Sequence, residues 1–297
     1  MKKMHASLPA HMSATGWIVL HILCFSSAAI LVKTNSAEIN VPEQLLVRAL
    51  FTISFLGIFT SKKTIFTSSR KHWRLLLLRG FLGFVGSYGT FYSFSVLPVS
   101  IAMTVVGVTP LLVMIFGTIL LREKVSIDTW IYSLIIAIAI YLVTDPQQIT
   151  VTATQSNALD IAIAAGSACA TALSFLTIKA LAGKAHSSLI VFWFSACSVI
   201  GFCIIAGFPY SILEATSYTK ILLCLFCILG VFSDFSKTKA YEYSPAWFVS
   251  LCSVGTIPAS GVFAWVVLDQ SLLPTQWLWI FVMMLCLSLA VYRARDR

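Results

Sequence analysis

The chain has 297 residues, of which 59% are hydrophobic and 10% charged, with a mean hydropathy of +0.92 and a formal net charge of +9. A soluble domain carries about a quarter charged residues, so a chain this apolar lacks the polar surface that a water-exposed fold needs, and a soluble globular class is excluded. The positive balance is assigned to the loops of a membrane protein, where lysine and arginine concentrate on the cytoplasmic side, and not to nucleic acid.

The opening MKKMHASLPAHMSA followed by an apolar run has the outline of a secretory signal. The run over 14–32 is longer than a signal core and no small-residue cleavage pattern follows, which predicts an uncleaved first helix. Apolar runs of the roughly 20 residues that cross the hydrocarbon layer recur beyond it. The first five spans are predicted at 14–32, 43–60, 75–96, 99–121 and 127–143. The polar stretch TDPQQITVTATQSN over 144–157 separates them from five more, at 158–178, 188–208, 220–241, 245–268 and 275–292. The expected architecture is therefore an all-α membrane protein of ten transmembrane helices, with repeat units at 14–143 and 158–292.

Charge placement sets the predicted orientation. With the N-terminus inside, the inner segments hold Lys2, Lys3, Lys62, Lys63, Arg70, Lys71, Arg74, Arg122, Lys124, Lys179, Lys184, Lys237, Lys239, Arg293, Arg295 and Arg297, whereas the outer segments hold Lys33 and Lys220. Both termini are expected in the cytoplasm, in a bacterial inner membrane. Trp17, Trp73, Trp130, Trp277 and Trp279 lie near span ends, at the interface depth where tryptophan concentrates. All eight cysteines lie inside predicted spans. Cys224 and Cys227 have CxxC spacing, but no second pair or nearby histidine completes a metal site, and packing is the expected role.

Five spans per half turn the second half upside down relative to the first. Matched residues support a repeat: Pro98 with Pro245, Ser93 with Ala240, Gly83 with Gly230 and Lys33 with Lys179, at offsets of 146 to 147 residues. Inverted repeats are a recurring way of building transporters, with substrate held near the midplane.

Leu78 to Lys124, with Arg79, Gly80, Gly83, Phe91 to Phe94, Leu97 to Ala102, Pro110 and Arg122-Glu123-Lys124, resembles the first repeat of EamA-type carriers of the drug/metabolite transporter superfamily. Ala240-Tyr241, Ser244-Pro245-Ala246, Pro258 and Trp265 to Leu268 are similar to the second, and Arg48 stands where such carriers often have an arginine. The resemblance implies ten helices and movement of small metabolites or drugs. The Leu-Arg-Gly opening of the third helix is similar to carriers of S-adenosylmethionine, the alternative within the class. The second repeat departs from the pattern at Asp269-Gln270, which puts a symmetric role for Glu123 in doubt.

Ionisable residues at membrane depth are functional candidates by default. Arg48 has two readings: a planar fork for a substrate carboxylate or phosphate, or a structural partner of a helix-end carbonyl, Glu38 or Glu43. Asp234 either pairs locally with Lys237, three residues on, or faces a cavity and serves proton coupling or recognition of a cation. Gly80, Gly83, Gly86 and Gly89 are read as a close-packing face. Tyr88, Tyr92, Trp193 and Trp265 are candidate substrate walls, with Thr109 a candidate polar contact. Pro110 and Pro258 free carbonyls near Val106 and Val254 and are read as hinges or static kinks, with Thr109 and Thr256 placed to help satisfy those groups. Glu123 is read as a charged cap, and His21 as a satisfied polar residue.

The function expected is secondary transport of a small polar or amphipathic metabolite by alternating access, with no cofactor, no metal and no catalytic residue. The partners expected are the substrate, the lipid bilayer and a coupling proton or counter-solute. A lipid-modifying membrane enzyme would need nucleophiles, paired acids or metal ligands near an interface, and no such cluster is visible in the sequence. A channel would call for a symmetric ring or filter.

Overall fold

The computed structural model describes residues 10–59, 62–96, 107–143, 158–206, 210–268 and 273–295. Pro98 and its neighbours Leu97 to Ala102, the carbonyl near Val106, the 144–157 connection and Asp269-Gln270 lie outside the described residues. Every regular element described is an α-helix. The order is α1 (Ala10–Asn35), α2 (Val41–Phe59), α3 (Lys62–Val96), α4 (Thr109–Leu120), α5 (Ile127–Val143), α6 (Ala158–Leu181), α7 (Ser187–Ala206), α8 (Tyr210–Glu214), α9 (Ser217–Tyr243), α10 (Ala246–Ser253), α11 (Thr256–Leu268) and α12 (Pro274–Arg295). Seven described segments are long and apolar enough to cross a membrane, α10 and α11 together supplying one of them. The apolar helices α4 and α5 are shorter, at 12 and 17 residues.

Two elements differ from their predicted outlines for physical reasons. The third span was expected from residue 75, but α3 begins at Lys62 and bends at His72, where φ is −124° and ψ is 21°. The sequence before the bend holds Lys62, Lys63, Arg70 and Lys71, so the bend falls where the chain passes from strongly charged to mainly apolar sequence. The ninth span is two helices, with Val254 and Gly255 in a turn between α10 and α11. Pro258 then stands in the first turn of α11, and Pro110 in the first turn of α4, positions that need no intrahelical donor from proline. The carbonyl of Val254 accepts from Ile257 N at 2.9 Å, and Thr256 Oγ1 donates to Ser253 O at 2.8 Å. From α1, Ser26 Oγ donates to Thr256 O at 3.1 Å. The break is thus satisfied by a tight turn, two hydroxyls and a neighbouring helix.

The main packing joins helices from before the 144–157 connection to helices after it. Helix α1 lies along α9, α3 along α6 and α7, α2 along α7, and α5 along α12. The buried core, with Ile18, Val113, Leu176, Leu189, Tyr241 and Phe248 at its centre, therefore sits between the two halves of the chain.

Helices in lipid gain no hydrophobic drive from meeting one another, so close backbone approach and dispersion must hold them. The glycines of α3 supply that approach. A Cβ on Gly80 would strike Cys197 and the Trp193 carbonyl of α7, one on Gly86 would strike Thr171 of α6, and one on Gly89 would strike Ser167 of α6. The packing reading of these glycines holds. Outward, helices present large apolar side chains such as Ile200, Ile204, Phe281 and Met284. On a soluble protein that surface would be an aggregation hazard, and here it suits a hydrocarbon solvent.

Gly86→Leu should lower the melting temperature of the detergent-solubilised protein, since overpacking typically costs about 1–3 kcal/mol. Gly166→Ala on α6, where an added Cβ meets nothing within 4 Å, should leave it unchanged or slightly raised. Equal melting temperatures for both variants would rule out the glycine face as the packing determinant.

Candidate functional site

One face of α9 forms a bed for the Arg48 side chain of α2. The bed is Phe226, Gly230 and Asp234, spaced four residues apart so that helical periodicity aligns them. Gly230 has no side chain because the guanidinium lies across it, and a Cβ there would collide with Arg48. Arg48 Nη2 donates to Asp234 Oδ2 at 2.5 Å and to Gly230 O at 3.4 Å, and Arg48 Cζ lies 5.5 Å from the Phe226 ring centroid. The two charged side chains are largely buried, with 15% and 22% of their surface exposed. Removing either partner would strand the other charge in a poorly solvated place.

This pair corrects both local alternatives drawn from the sequence. Arg48 does not pair with Glu38 or Glu43: Glu38 accepts from Thr216 N at 2.8 Å, and Glu43 accepts from Ser211 Oγ at 2.5 Å. Asp234 does not pair with Lys237, whose Nζ instead lies 3.8 Å from the Phe175 ring centroid. Sequence spacing finds neighbours on one helix, whereas the Arg48–Asp234 contact spans 186 residues.

A second arginine lies deeper. Arg79 of α3 is 7% exposed, donates from Nη1 to Ser174 Oγ of α6 at 2.6 Å, and holds its guanidinium 4.4 Å from the Phe194 ring centroid. Its Nε is buried without a hydrogen-bond partner. Gly83, one turn along, leaves room for Arg79 and Phe194. In the sequence Arg79 stands only among the residues of the family resemblance and is not a site candidate. The available signal was its spacing of four from Gly83, whose missing side chain leaves the room that Arg79 fills. Lys237 and Arg79 both lie within electrostatic range of Asp234. Beside them, buried His21 of α1 meets Ser233 Oγ through Nδ1 at 2.9 Å, the satisfied role expected of it.

The remaining candidates divide. Tyr88 packs beside Phe84, in the same apolar cluster as Phe226 under Arg48. Tyr92 donates from its hydroxyl to buried Asp160 at 3.1 Å, a partner not anticipated from the sequence. Trp193 is partly buried against the central core. Thr109 and Pro110 are buried at the start of α4, and Pro258 is buried near the start of α11. Trp265 does not join the interior: it is 49% exposed and meets Trp277 edge-on at 5.5 Å.

Polar ties close both ends of the bundle. At one end, Glu38 caps the start of α9 through Thr216, and that backbone hydrogen bond holds its carboxyl below the ordinary glutamate value. At the other, Glu123 accepts from Ala246 N at 2.8 Å and Trp247 N at 3.3 Å, capping α10. Lys179 Nζ donates to Tyr241 O at 3.0 Å and Ser244 O at 2.7 Å, where α9 ends. The cap reading of Glu123 holds, with the difference that the helix it caps belongs to the other half.

Residues 12–145 match the model of the EamA-like transporter family. A search of curated proteins gives no match. One crystal structure shares the fold with a TM-score of 0.75 at 15% identity, over 96% of this chain and 98% of its own.

Arg48→Leu and Asp234→Leu should each destabilise the protein, and the double variant should lose less than the sum. A coupling of about 0.5–3 kcal/mol is expected for a contacting pair, read from thermal unfolding of the four proteins in one detergent, and strict additivity would dismiss the pair as a stabilising contact. The Glu38 cap gives a pH signature. Because its folded carboxyl titrates below the ordinary value of 4.5, its contribution is present above that pH and is lost as pH falls through the lower folded value. Glu38→Gln should flatten that acid-side decline in melting temperature, and an unchanged slope would refute it.

Proposed function

We propose, on the match of residues 12–145 to the EamA-like transporter family, that the chain is a member of that family, within the drug/metabolite transporter superfamily, and a secondary carrier moving a small polar or amphipathic metabolite by alternating access. The observation that carries the proposal is the Arg48–Asp234 pair, which joins the two halves inside an apolar bundle. Charges at that depth are costly, and in membrane proteins they mark substrate and ion pathways. Arg48 and Asp234 are the proposed centre of the site, with Tyr88, Tyr92, Trp193 and Thr109 around the pathway. Trp265, on the outer face, is left out.

An architecture of ten spans in two inverted five-helix repeats, over 14–143 and 158–292, underlies the proposed mechanism. Two observations support it. Helix pairings exchange consistently between the halves: α1 on α9 answers to α6 on α3, and α2 on α9 answers to α7 on α3. The arginine–aromatic contacts do the same, since Arg79 and Phe226 are 147 residues apart while Arg48 and Phe194 are 146 apart. Gly83 and Gly230, each making room for one of those arginines, are again 147 apart.

Both termini are proposed to be cytoplasmic, in the inner membrane of a bacterium, on the distribution of lysine and arginine. In this arrangement the Glu38 tie closes the outer end and the Glu123 tie the inner end. Alternating access would open one while the other holds, with Pro110 and Pro258 as hinges at the two helix breaks. Proton movement or exchange of a counter-solute would drive transport.

The test is uptake by purified protein in liposomes, across amino acids, nucleotides and methylated cofactors. Saturable uptake stimulated by solute on the far side is expected, and Asp234→Asn should reduce its rate by about tenfold or more while the protein remains folded. Linear uptake without stimulation would indicate a channel, and no uptake of any solute would count against a carrier.

A further inference from the structure

The Arg48–Asp234 pair leaves a charge imbalance beside it. Arg79 and Lys237 are two further cations within electrostatic range of each other, and Asp234, the carboxylate in their range, is already held by Arg48. Arg79 comes from α3 and Lys237 from α9, one helix from each half. They converge on adjacent residues of α6: Arg79 Nη1 binds Ser174, and Lys237 Nζ lies over the ring of Phe175. Neither contact supplies an anion. The Arg79 Nε remains a buried donor without an acceptor, and Lys237 makes no ion pair of 4.0 Å or less among the described residues.

A buried donor left unmatched costs roughly 1–3 kcal/mol, and an uncompensated charge costs more. Natural bundles keep such groups where function needs them. Ser174 offers a hydroxyl next to the guanidinium, and the faces of Phe194 and Phe175 steady the two cations without neutralising them. The missing element of this set is a negative group of small size.

We infer that Arg79, Lys237 and Ser174 form an anion subsite, and that the solute carried by this protein presents a carboxylate or phosphate to it. This rests on the carrier reading and deepens it: Arg48 and Asp234 remain the centre of the site and join the halves, while Arg79 and Lys237, one from each half, take the anionic group of the solute. A bound anion would draw α3 and α9 together, coupling occupancy to the relative position of the halves.

The experiment uses purified full-length protein in an uncharged detergent. Thermal stabilisation is measured with inorganic phosphate, and with carboxylates and phosphate monoesters set against their uncharged amide and alcohol counterparts. Stabilisation by anionic members and not by their neutral counterparts is expected. Arg79→Gln and Lys237→Met should weaken the apparent affinity by about tenfold or more. Because Lys237→Met removes an unpaired interior charge, its melting temperature without solute should match or exceed that of the parent. A merely structural lysine would lower it, and that result overturns the subsite. So does equal stabilisation by neutral counterparts, or stabilisation by added anionic phospholipid alone, which would assign the cations to a lipid headgroup. Liposome uptake keeps the two readings apart. Saturable transport confined to uncharged or cationic solutes would sink the anion subsite and leave the carrier. Anion binding sensitive to Arg79 and Lys237, with no transport of any solute, would leave the subsite and sink the carrier.

Discussion

The interior of this protein depends on how closely α3 can approach α6 and α7. In a bilayer the lipid tails are as apolar as leucine, so helices are held by contact rather than by escape from water. Gly80, Gly86 and Gly89 remove the side chains that would keep these helices apart. The same closeness brings Arg79 within 2.6 Å of Ser174 and places its guanidinium on Phe194. Packing and polar arrangement are thus one constraint: a larger residue in the glycine face would displace both helices and the charge seated between them.

Glycine has a second use at Gly83 and Gly230, where the space is taken by an arginine side chain, joined at Gly83 by Phe194 of α7. A guanidinium is flat and weakly hydrated, and it can lie against backbone and an aromatic ring at once. Each arginine here uses that geometry, on Phe226 or on Phe194. The two seats differ in what completes them. Arg48 has a carboxylate, while Arg79 has a hydroxyl. Two similar arginine seats with unequal polar partners leave one guanidinium matched by a carboxylate and the other with a buried Nε that has no acceptor.

Much of the fold was legible because membrane sequences obey few rules strictly. Length and apolarity marked the seven described segments that can cross a membrane, and glycine spacing marked the packing face. The candidate site was legible only in part. Arg48 and Asp234 stood out as charges at depth, but their pairing joins residues 186 apart, a relation that helical periodicity does not encode. Arg79 was no site candidate in the sequence, because its partner Ser174 lies 95 residues on. Trp265 carried an aromatic signal without a direction, and its side chain turned out to be 49% exposed. Residue type gives the chemistry available, whereas the face a side chain takes depends on partners far along the chain.

The Arg122-Glu123-Lys124 ending of α4 shows how a local motif acquires its meaning from the opposite half. Arg122 has a φ of 54°, in the left-handed region that costs a non-glycine residue about 1–2 kcal/mol. That conformation ends the helix and returns the chain, so that Glu123 N bonds to Gly117 O at 3.2 Å. Its carboxylate then reaches the free N–H groups of Ala246 and Trp247. An anion at a helix N-terminus contributes on the order of 0.3–1 kcal/mol at a partly exposed site, which offsets part of the local strain. Under the proposed alternating access this balance is useful: a contact that weak holds the inner end shut, yet it can be broken by the free energy of binding a small solute.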